Sequence, residues 1–244
     1  MIVVAGGSGY LGSSFIKHLL DLQEHEIVNI SSRKSGLYET KLKEFEIDLT
    51  RYEDVLGTLS SLEQNSILAI INLAGRSKRR TQTDPVLSSF SSLTYSYSHD
   101  VEILFNLAKF MSENSKFFQK DAKLIDVGSL WASNIPFSGT YLDLGNEPDL
   151  SVLLAKSSKK TLVKYLAREL GKMGFTVNQI TPGWFPKPSG TPREDYINGI
   201  VQRIPIGRIG KPIDLFPVID MLISSRVTYV NGQEIVVDGG FSIY

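Results

Sequence analysis

The chain has 244 residues, 42% of them hydrophobic, with 26 basic side chains against 26 acidic ones and no cysteine. Zero net charge offers no electrostatic basis for binding nucleic acid or an anionic membrane, and the lack of thiols excludes disulfides, thiolate catalysis and cysteine metal sites. No apolar run nears the roughly 20 residues of a membrane span, and the opening residues lack the basic region of a secretory signal, so a cytoplasmic location is expected.

Strand and helix patterns alternate from the first residue. Met1–Val4 is an apolar run rich in β-branched residues that reads as a buried strand, and Ser13–Leu20 follows with Phe15, Ile16, Leu19 and Leu20 at helical spacing. Further strands are read at Glu26–Ile30, Phe45–Ile47, Ile67–Asn72, Ala122–Val127, Phe175–Ile180 and Glu234–Val237. Helical patterns occupy Tyr52–Leu62, Val86–Met111, Val152–Met173 and Ile213–Ser224, the second starting weakly in the serine-rich stretch Ser88–Ser98. No repeat, low-complexity tract or linker interrupts them, so one domain over residues 1–244 is expected. The alternation predicts a doubly wound, Rossmann-type α/β fold: a mainly parallel seven-stranded sheet covered by helices on both faces, three layers in all.

Between the first strand and its helix lies Ala5-Gly6-Gly7-Ser8-Gly9-Tyr10-Leu11-Gly12, with Gly6, Gly9 and Gly12 at G-x-x-G-x-x-G. Gly6 permits the tight turn, Gly9 removes a side chain where a pyrophosphate must approach, and Gly12 lets the helix pack on the strand. Free N–H groups at the helix start then face the phosphates. A glycine-rich turn without a ligand is the alternative.

The end of the second strand bears on which dinucleotide binds. NAD-binding versions of the fold place a carboxylate there for the ribose hydroxyls. This chain instead reads Asn29-Ile30-Ser31-Ser32-Arg33-Lys34, with no carboxylate and two cations. Arg33, beside Ser32, suits a 2′-phosphate, which a guanidinium grips through a charge-assisted fork. NADP(H) is therefore favoured, with NAD(H) still open, and Lys34 is equally well explained as part of a solvated basic loop. Asp48, next to Leu49 after the third strand, either accepts hydrogen bonds from an adenine amino group or caps the helix that follows.

From Asn72-Leu73-Ala74-Gly75 onward the motifs resemble those of the short-chain dehydrogenase/reductase family. Asp126-Val127-Gly128-Ser129 is similar to its fifth strand with the catalytic serine. Asn178-Gln179-Ile180-Thr181-Pro182-Gly183 is similar to its sixth strand and Pro-Gly turn beside the nicotinamide. Pro205–Pro212 and Tyr229–Gly240 resemble its C-terminal pattern, so the likeness covers essentially the whole chain. The resemblance implies cofactor contacts from Gly6, Ser8, Gly9, Tyr10, Leu11, Gly12, Ser32, Arg33, Asp48, Leu49, Asn72, Ala74, Gly75, Lys156, Pro182, Gly183 and Thr191. The three histidines, His18, His25 and His99, are scattered and form no metal-ligand pattern, so no metal is expected. The resemblance also implies a homodimer or homotetramer through the two long helices. The Gly-Tyr-Leu-Gly end of the first loop, and the long insertion after Ser129, resemble the branch found in nonulosonic-acid and surface-glycan biosynthesis. A polar, sugar-derived small-molecule substrate is the corresponding expectation.

One departure touches the chemistry. The family uses Tyr-x-x-x-Lys on one helix, where the lysine and the cofactor's charge lower the tyrosine pKa for proton transfer. Lys156 lies 26 residues before Pro182, as in the family, yet Val152 occupies the tyrosine position four residues earlier. The helix asparagine of the family is also missing, with Ser96 near its place. Ser129 then orients the substrate oxygen and Lys156 holds the nicotinamide ribose, while the proton donor is open. Tyr141, 12 residues after Ser129, is one candidate and His99 a weaker one; each is also explained without catalysis, as a loop aromatic and an ordinary helix residue. Two further explanations are a nucleotide-binding protein of low catalytic power, working in regulation or assembly, and a changed reaction in which substrate or water carries the proton. Trp131 and Trp184 offer stacking surfaces or plug the rim of the site, and Phe185–Tyr196 reads as a substrate lid.

Overall fold

The computed structural model describes residues 1–75, 79–80, 90–135, 147–187 and 194–243. Ile2–Ala5 forms β1 and is buried throughout, because the β-branched Ile2, Val3 and Val4 suit a strand covered on both faces. The remaining strands are β2 (Ile27–Ser31), β3 (Leu42–Glu46), β4 (Ile67–Asn72), β5 (Phe118–Val127), β6 (Thr176–Pro182) and β7 (Glu234–Val237). They form one sheet in the order β3-β2-β1-β4-β5-β6-β7, and every neighbouring pair is parallel. The expected seven-stranded doubly wound fold is what forms. Arg79–Arg80 and Glu147–Pro148 make a separate antiparallel pair.

The helices are α1 (Tyr10–Leu22), α2 (Tyr52–Leu59), α3 (Phe90–Tyr97), α4 (Ile103–Glu113), α5 (Leu150–Gly171), α6 (Glu194–Val201) and α7 (Phe216–Ile223). Strand alternation assigns them to two faces. Val3, Val28, Ile30 and Ile70 pack against Leu104, Leu107, Phe110, Val163 and Leu166 of α4 and α5. Ile2, Val4, Ile27, Ile71 and Ile125 pack against Phe15, Ile16, Phe216 and Ile219 of α1 and α7. Phe110 is fully buried, its ring 5.8 Å from those of both Phe117 and Phe118. Truncating such a side chain to alanine costs about 3–5 kcal/mol. No helix among the described residues is long and apolar enough to cross a membrane.

Two differences from the sequence reading matter for the site. The serine-rich segment is helical from Phe90 and runs through to Glu113, but Ser98–Glu102 adopts π geometry. Ser92 and Ser96 are buried before that π turn, Asp100 within it, and Leu104, Leu107 and Met111 after it. The helix read as Val152–Met173 begins two residues earlier, where the Asp149 side chain accepts from Ser151 N at 2.9 Å and caps it.

The sheet order reverses between β1 and β4, since the chain runs outward to β3 and returns beside β1. Open α/β sheets bind ligands beyond the carboxyl ends of the strands at such a switch point.

Candidate active site

The turn after β1 is shaped by close backbone approach. Gly6 has φ 83°, and a methyl group there would lie 2.5 Å from Ala74 N at the end of β4. At Gly9 the nearest atom to such a methyl among the described residues is Gly6 O at 3.4 Å, so no described side chain crowds that side of the turn. Gly9 is the N-cap of α1 and provides no side-chain cap, which leaves the first-turn N–H groups of Tyr10, Leu11 and Gly12 without helix partners. No acidic residue stands in that turn to oppose an anion.

Side chains from β2 brace this turn. Asn29, fully buried, accepts from Gly7 N at 3.1 Å and donates to Glu44 Oε1 at 2.8 Å. Glu44 also accepts from Ser35 N at 2.7 Å, so the basic loop and the glycine turn are held as one piece. Burial opposes ionisation of Glu44, but hydrogen bonds from Ser35 and Asn29 and the charge of Lys34 outweigh it, and its pKa falls below the ordinary value. Ser8 and Ser31 share a hydroxyl hydrogen bond of 2.7 Å, and Arg33 Nη2 donates to Ser8 O at 3.4 Å, which puts the guanidinium beside the turn. Asp48 Oδ1 accepts from Thr50 N at 3.0 Å and Thr50 Oγ1 at 2.8 Å, and these bonds hold its pKa down. It closes its own turn: α2 has Arg51 at its N-cap, without a side-chain cap. The neighbouring Leu49 is buried, and its carbonyl accepts from Asn106 Nδ2 at 3.0 Å.

A buried polar row crosses the sheet. Asn72, Asp126 and Gln179 are register partners on β4, β5 and β6. Asn72 Nδ2 and Gln179 Nε2 each donate to Asp126 at 2.8 Å, and Ala74 N donates back to Asn72 Oδ1 at 3.2 Å. Asn72 thus shapes the Ala74–Gly75 turn from within the core. Lys159 Nζ of α5 approaches Asp126 Oδ1 at 2.8 Å. This contact has ion-pair distance without hydrogen-bond alignment. Motif spacing does not disclose the pair; its trace in the sequence is a second lysine one turn after Lys156 on the same helix face.

Ser129 follows β5 in extended backbone, and its Oγ accepts from Trp131 N at 3.3 Å, capping the short turn Leu130–Ala132. Ser157 Oγ donates to Ala132 O at 2.7 Å, which anchors α5 against that turn. Lys156, next along, is buried and hydrogen-bonds Asp100 of the π turn, itself fully buried. Burial pushes the Lys156 pKa down, the Asp100 carboxylate opposes this, and the net direction is downward. Asp100 is the acidic partner that motif reading missed. Ser96, placed by sequence near the family's asparagine, instead bonds Ser151 at 2.7 Å, and the residue one turn further reaches the lysine. Val152 is buried one turn before Lys156. His99 stacks on Tyr95 with ring centroids 4.1 Å apart and hydrogen-bonds Tyr95 O at 2.9 Å, on its own helix.

Pro182 ends β6, and a methyl at Gly183 would lie 2.6 Å from Asp238 Cα, so this glycine serves strand packing. Trp131 lines a cleft of about 480 Å³ with Asn134, Ile135, Gln202, Arg203, Pro205 and Phe241. Trp184 accepts from Gly210 N at 2.8 Å through its carbonyl. Tyr141 and Thr191 lie outside the described residues.

A doubly wound sheet with a glycine turn at its switch point, a serine just after β5 and a lysine in the second turn of α5 defines a class of nucleotide-dependent folds. A family profile described as enoyl-(acyl carrier protein) reductase matches residues 38–242, and the chain belongs to the short-chain dehydrogenase/reductase family. A cyclohexanol dehydrogenase of Rhodococcus sp. is 33% identical over 126 residues, 51% of this chain and 44% of that protein. An uncharacterized short-chain type dehydrogenase/reductase, y4vI, of Sinorhizobium fredii is 26% identical over 99% of this chain and 43% of its own length. The chain therefore spans less than half the length of these two relatives. A 3-oxoacyl-(acyl-carrier-protein) reductase of Rickettsia typhi is 26% identical over 98% of this chain and 95% of its own. The short-chain dehydrogenase of Leptospira borgpetersenii, solved with bound NAD+, shares the fold at a TM-score of 0.85 with 24% identity, covering 99% of this chain and 92% of its own. ElxO with NADP bound shares it at 0.80 with 16% identity, over 100% of this chain and 98% of its own.

Proposed function

We propose that the protein is an NADP(H)-dependent oxidoreductase acting on a polar, sugar-derived small molecule, with a proton donor other than the family's tyrosine. The observation that carries the reading is the side of Gly9 that no described side chain crowds, at the start of α1, with Arg33 against Ser8 beside it. Free N–H groups receive a pyrophosphate, and the guanidinium receives a 2′-phosphate that a carboxylate at the same place would repel. NAD+ in the Leptospira neighbour and NADP in ElxO agree with a nicotinamide dinucleotide and leave the preference to Arg33.

When bound, the nicotinamide supplies or accepts the hydride. Gly6, Ser8, Gly9, Tyr10, Leu11 and Gly12 would hold its phosphates, Ser32 and Arg33 the 2′-phosphate, and Asp48 and Leu49 the adenine. The Asn72–Gly75 turn, Lys156, Pro182, Gly183 and Thr191 would hold the nicotinamide half. Ser129 orients the substrate oxygen by hydrogen bonding. Val152, at the tyrosine position, has no exchangeable proton, so that proton comes from elsewhere, and Tyr141 of the insertion is the side chain to test first. The mixed aromatic and polar lining of the Trp131 cleft, with Asn134, Gln202 and Arg203, supports a polar ring substrate of the surface-glycan kind. Exposed Phe105, Leu154 and Tyr165 on α4 and α5 support self-association through those helices as a dimer or tetramer.

A second reading is a nucleotide-binding protein without useful dehydrogenase activity. It is favoured by the engagement of Lys156 with Asp100, which occupies the charge that would otherwise activate an acid. Fluorescence titration with NADPH and NADH tests the first half of the proposal. NADPH is expected to bind at least about tenfold tighter, and Arg33→Ala to erase the difference. Equal affinities in the wild type overturn the NADP assignment; no association of either at millimolar concentration overturns the nucleotide reading itself. Where binding holds, absence of turnover over a panel of carbonyl sugars selects the second reading.

A further inference from the structure

The cleft beside Trp131 joins three segments distant in sequence. Trp131 stands two residues after Ser129, in the turn Leu130–Ala132 that the Ser129 side chain caps. Gln202 and Arg203 follow α6, and Phe241 opens the turn Phe241–Ile243. Gly239 and Gly240 bring that last turn against the segment after α6. Their φ angles are 67° and 89°, and a methyl on them would lie 2.7 Å from Ile204 Cγ2 and 2.9 Å from Pro205 Cγ. The Asp238 carboxylate accepts from Gly240 N at 2.9 Å and Ser242 N at 2.8 Å, which fixes the turn carrying Phe241. Close packing of Asp238 on Gly183 ties the same turn to the end of β6. The walls are thus held by the fold around a space of about 480 Å³, a size that suits a sugar ring.

The lining selects the ligand. Trp131 and Phe241 offer flat apolar surfaces, suited to the C–H face of a ring. Asn134 Nδ2 donates to Leu130 O at 2.9 Å, which leaves its Oδ1 as an acceptor, and the Gln202 amide presents both a donor and an acceptor. Arg203 is the only charged side chain among the described lining residues, and a guanidinium keeps its charge at any working pH. Its five N–H donors let a carboxylate bond it alongside the contact it already makes. Neighbouring charges are engaged in the fold: Lys160, bonded to Ser133, meets Glu234 at 2.6 Å, and Asp238 is held by its two N–H groups. One fork matches the two oxygens and single charge of a carboxylate, whereas a phosphate monoester carries about 1.5 to 2 negative charges at pH 7.

Resting on the reading of a sugar-derived substrate, we propose that the cleft binds a cyclic polyol bearing a carboxylate, with the ring against Trp131 and Phe241 and the carboxylate on the Arg203 fork. Hydroxyls of the ring bond Asn134 and Gln202. Arg203 then sets a preference for acidic over neutral sugars, and the ring lies against the turn that Ser129 begins.

The test is a saturation-transfer NMR titration, with NADPH present, using D-glucuronate and D-glucuronamide, which differ only in the charge-bearing group. The wild type is expected to bind glucuronate about tenfold more tightly than glucuronamide. Arg203→Gln is expected to bring the two within about twofold while glucuronamide binds as before, which also reports that the variant is folded. Equal affinities in the wild type overturn the proposal and leave the sugar reading standing, and a preference that survives in Arg203→Gln overturns it too. Tighter binding of D-glucose 6-phosphate than of glucuronate overturns the choice of a carboxylate. Failure of uronate and uronamide alike to bind at high millimolar concentration is the separate failure of the sugar reading, and the proposal falls with it.

Discussion

Lys159 Nζ lies 2.8 Å from Asp126 Oδ1, and neither side chain reaches solvent. With the bond from Lys156 to Asp100, it gives α5 two lysines one turn apart, each facing a carboxylate of its own on another element. Without those carboxylates two buried ammonium groups so close would repel and neutralise. Losing one partner of such a pair leaves an uncompensated charge, which typically costs about 3–5 kcal/mol, whereas losing both costs far less. Lys159→Met is expected to lower the unfolding free energy by about that amount, and adding Asp126→Asn to recover most of it. Urea unfolding of the single and double variants decides; equal instability of the two would show that the pair is not coupled.

Restoring the absent acid is a direct probe of the catalytic half. Val152→Tyr puts a phenol one turn from Lys156, and a general acid is worth on the order of 10² to 10⁴ in rate. Reductase activity on generic carbonyl substrates is expected to rise into that range. No gain, with NADPH affinity intact, would argue that more than the acid is missing. The lysine's engagement with Asp100 makes Val152→Tyr with Asp100→Asn the natural companion, expected to exceed the single variant.

Replacing Tyr141 by Phe removes one hydroxyl and little else. If that hydroxyl carries the proton, turnover falls by about 10² or more while NADPH affinity stays level. Undiminished turnover removes Tyr141 as the donor.

The Pro205–Pro212 loop is closed by a bidentate pair, Arg208 Nη1 and Nη2 donating to Asp214 at 2.7 and 2.8 Å, with Lys211 N adding a third bond at 2.8 Å. The Arg208 bonds foremost lower the Asp214 pKa from 3.8 to about 2. A carboxylate with a depressed folded pKa contributes stability that is complete above its unfolded value and is lost as pH falls through the folded one. The stability gap between wild type and Asp214→Asn is therefore expected to be level above about pH 5 and to narrow between about pH 4 and pH 2. Thermal melts across that range measure it, and a gap independent of pH would exclude the linkage. Partial exposure keeps the gap small.

The sheet, its helices and the glycine turn were legible in the chain because each depends on neighbours in sequence: two-residue alternation, helical spacing, and turns that only glycine allows. Element ends were less so, since caps such as Asp149 on Ser151 settle them by a single bond. The family likeness, too, was carried by local motifs such as Asn72–Gly75 and Asn178–Gly183. What tertiary structure alone decided is the electrostatics between them. Asp100 and Lys156 stand 56 residues apart and meet because the π turn of one helix packs against α5. Asp126 meets Lys159 because α5 packs on β6, the neighbour of β5 in the sheet. No periodicity reports such pairings, because the strength of a charge contact depends on distance and burial across the fold rather than on spacing along the chain.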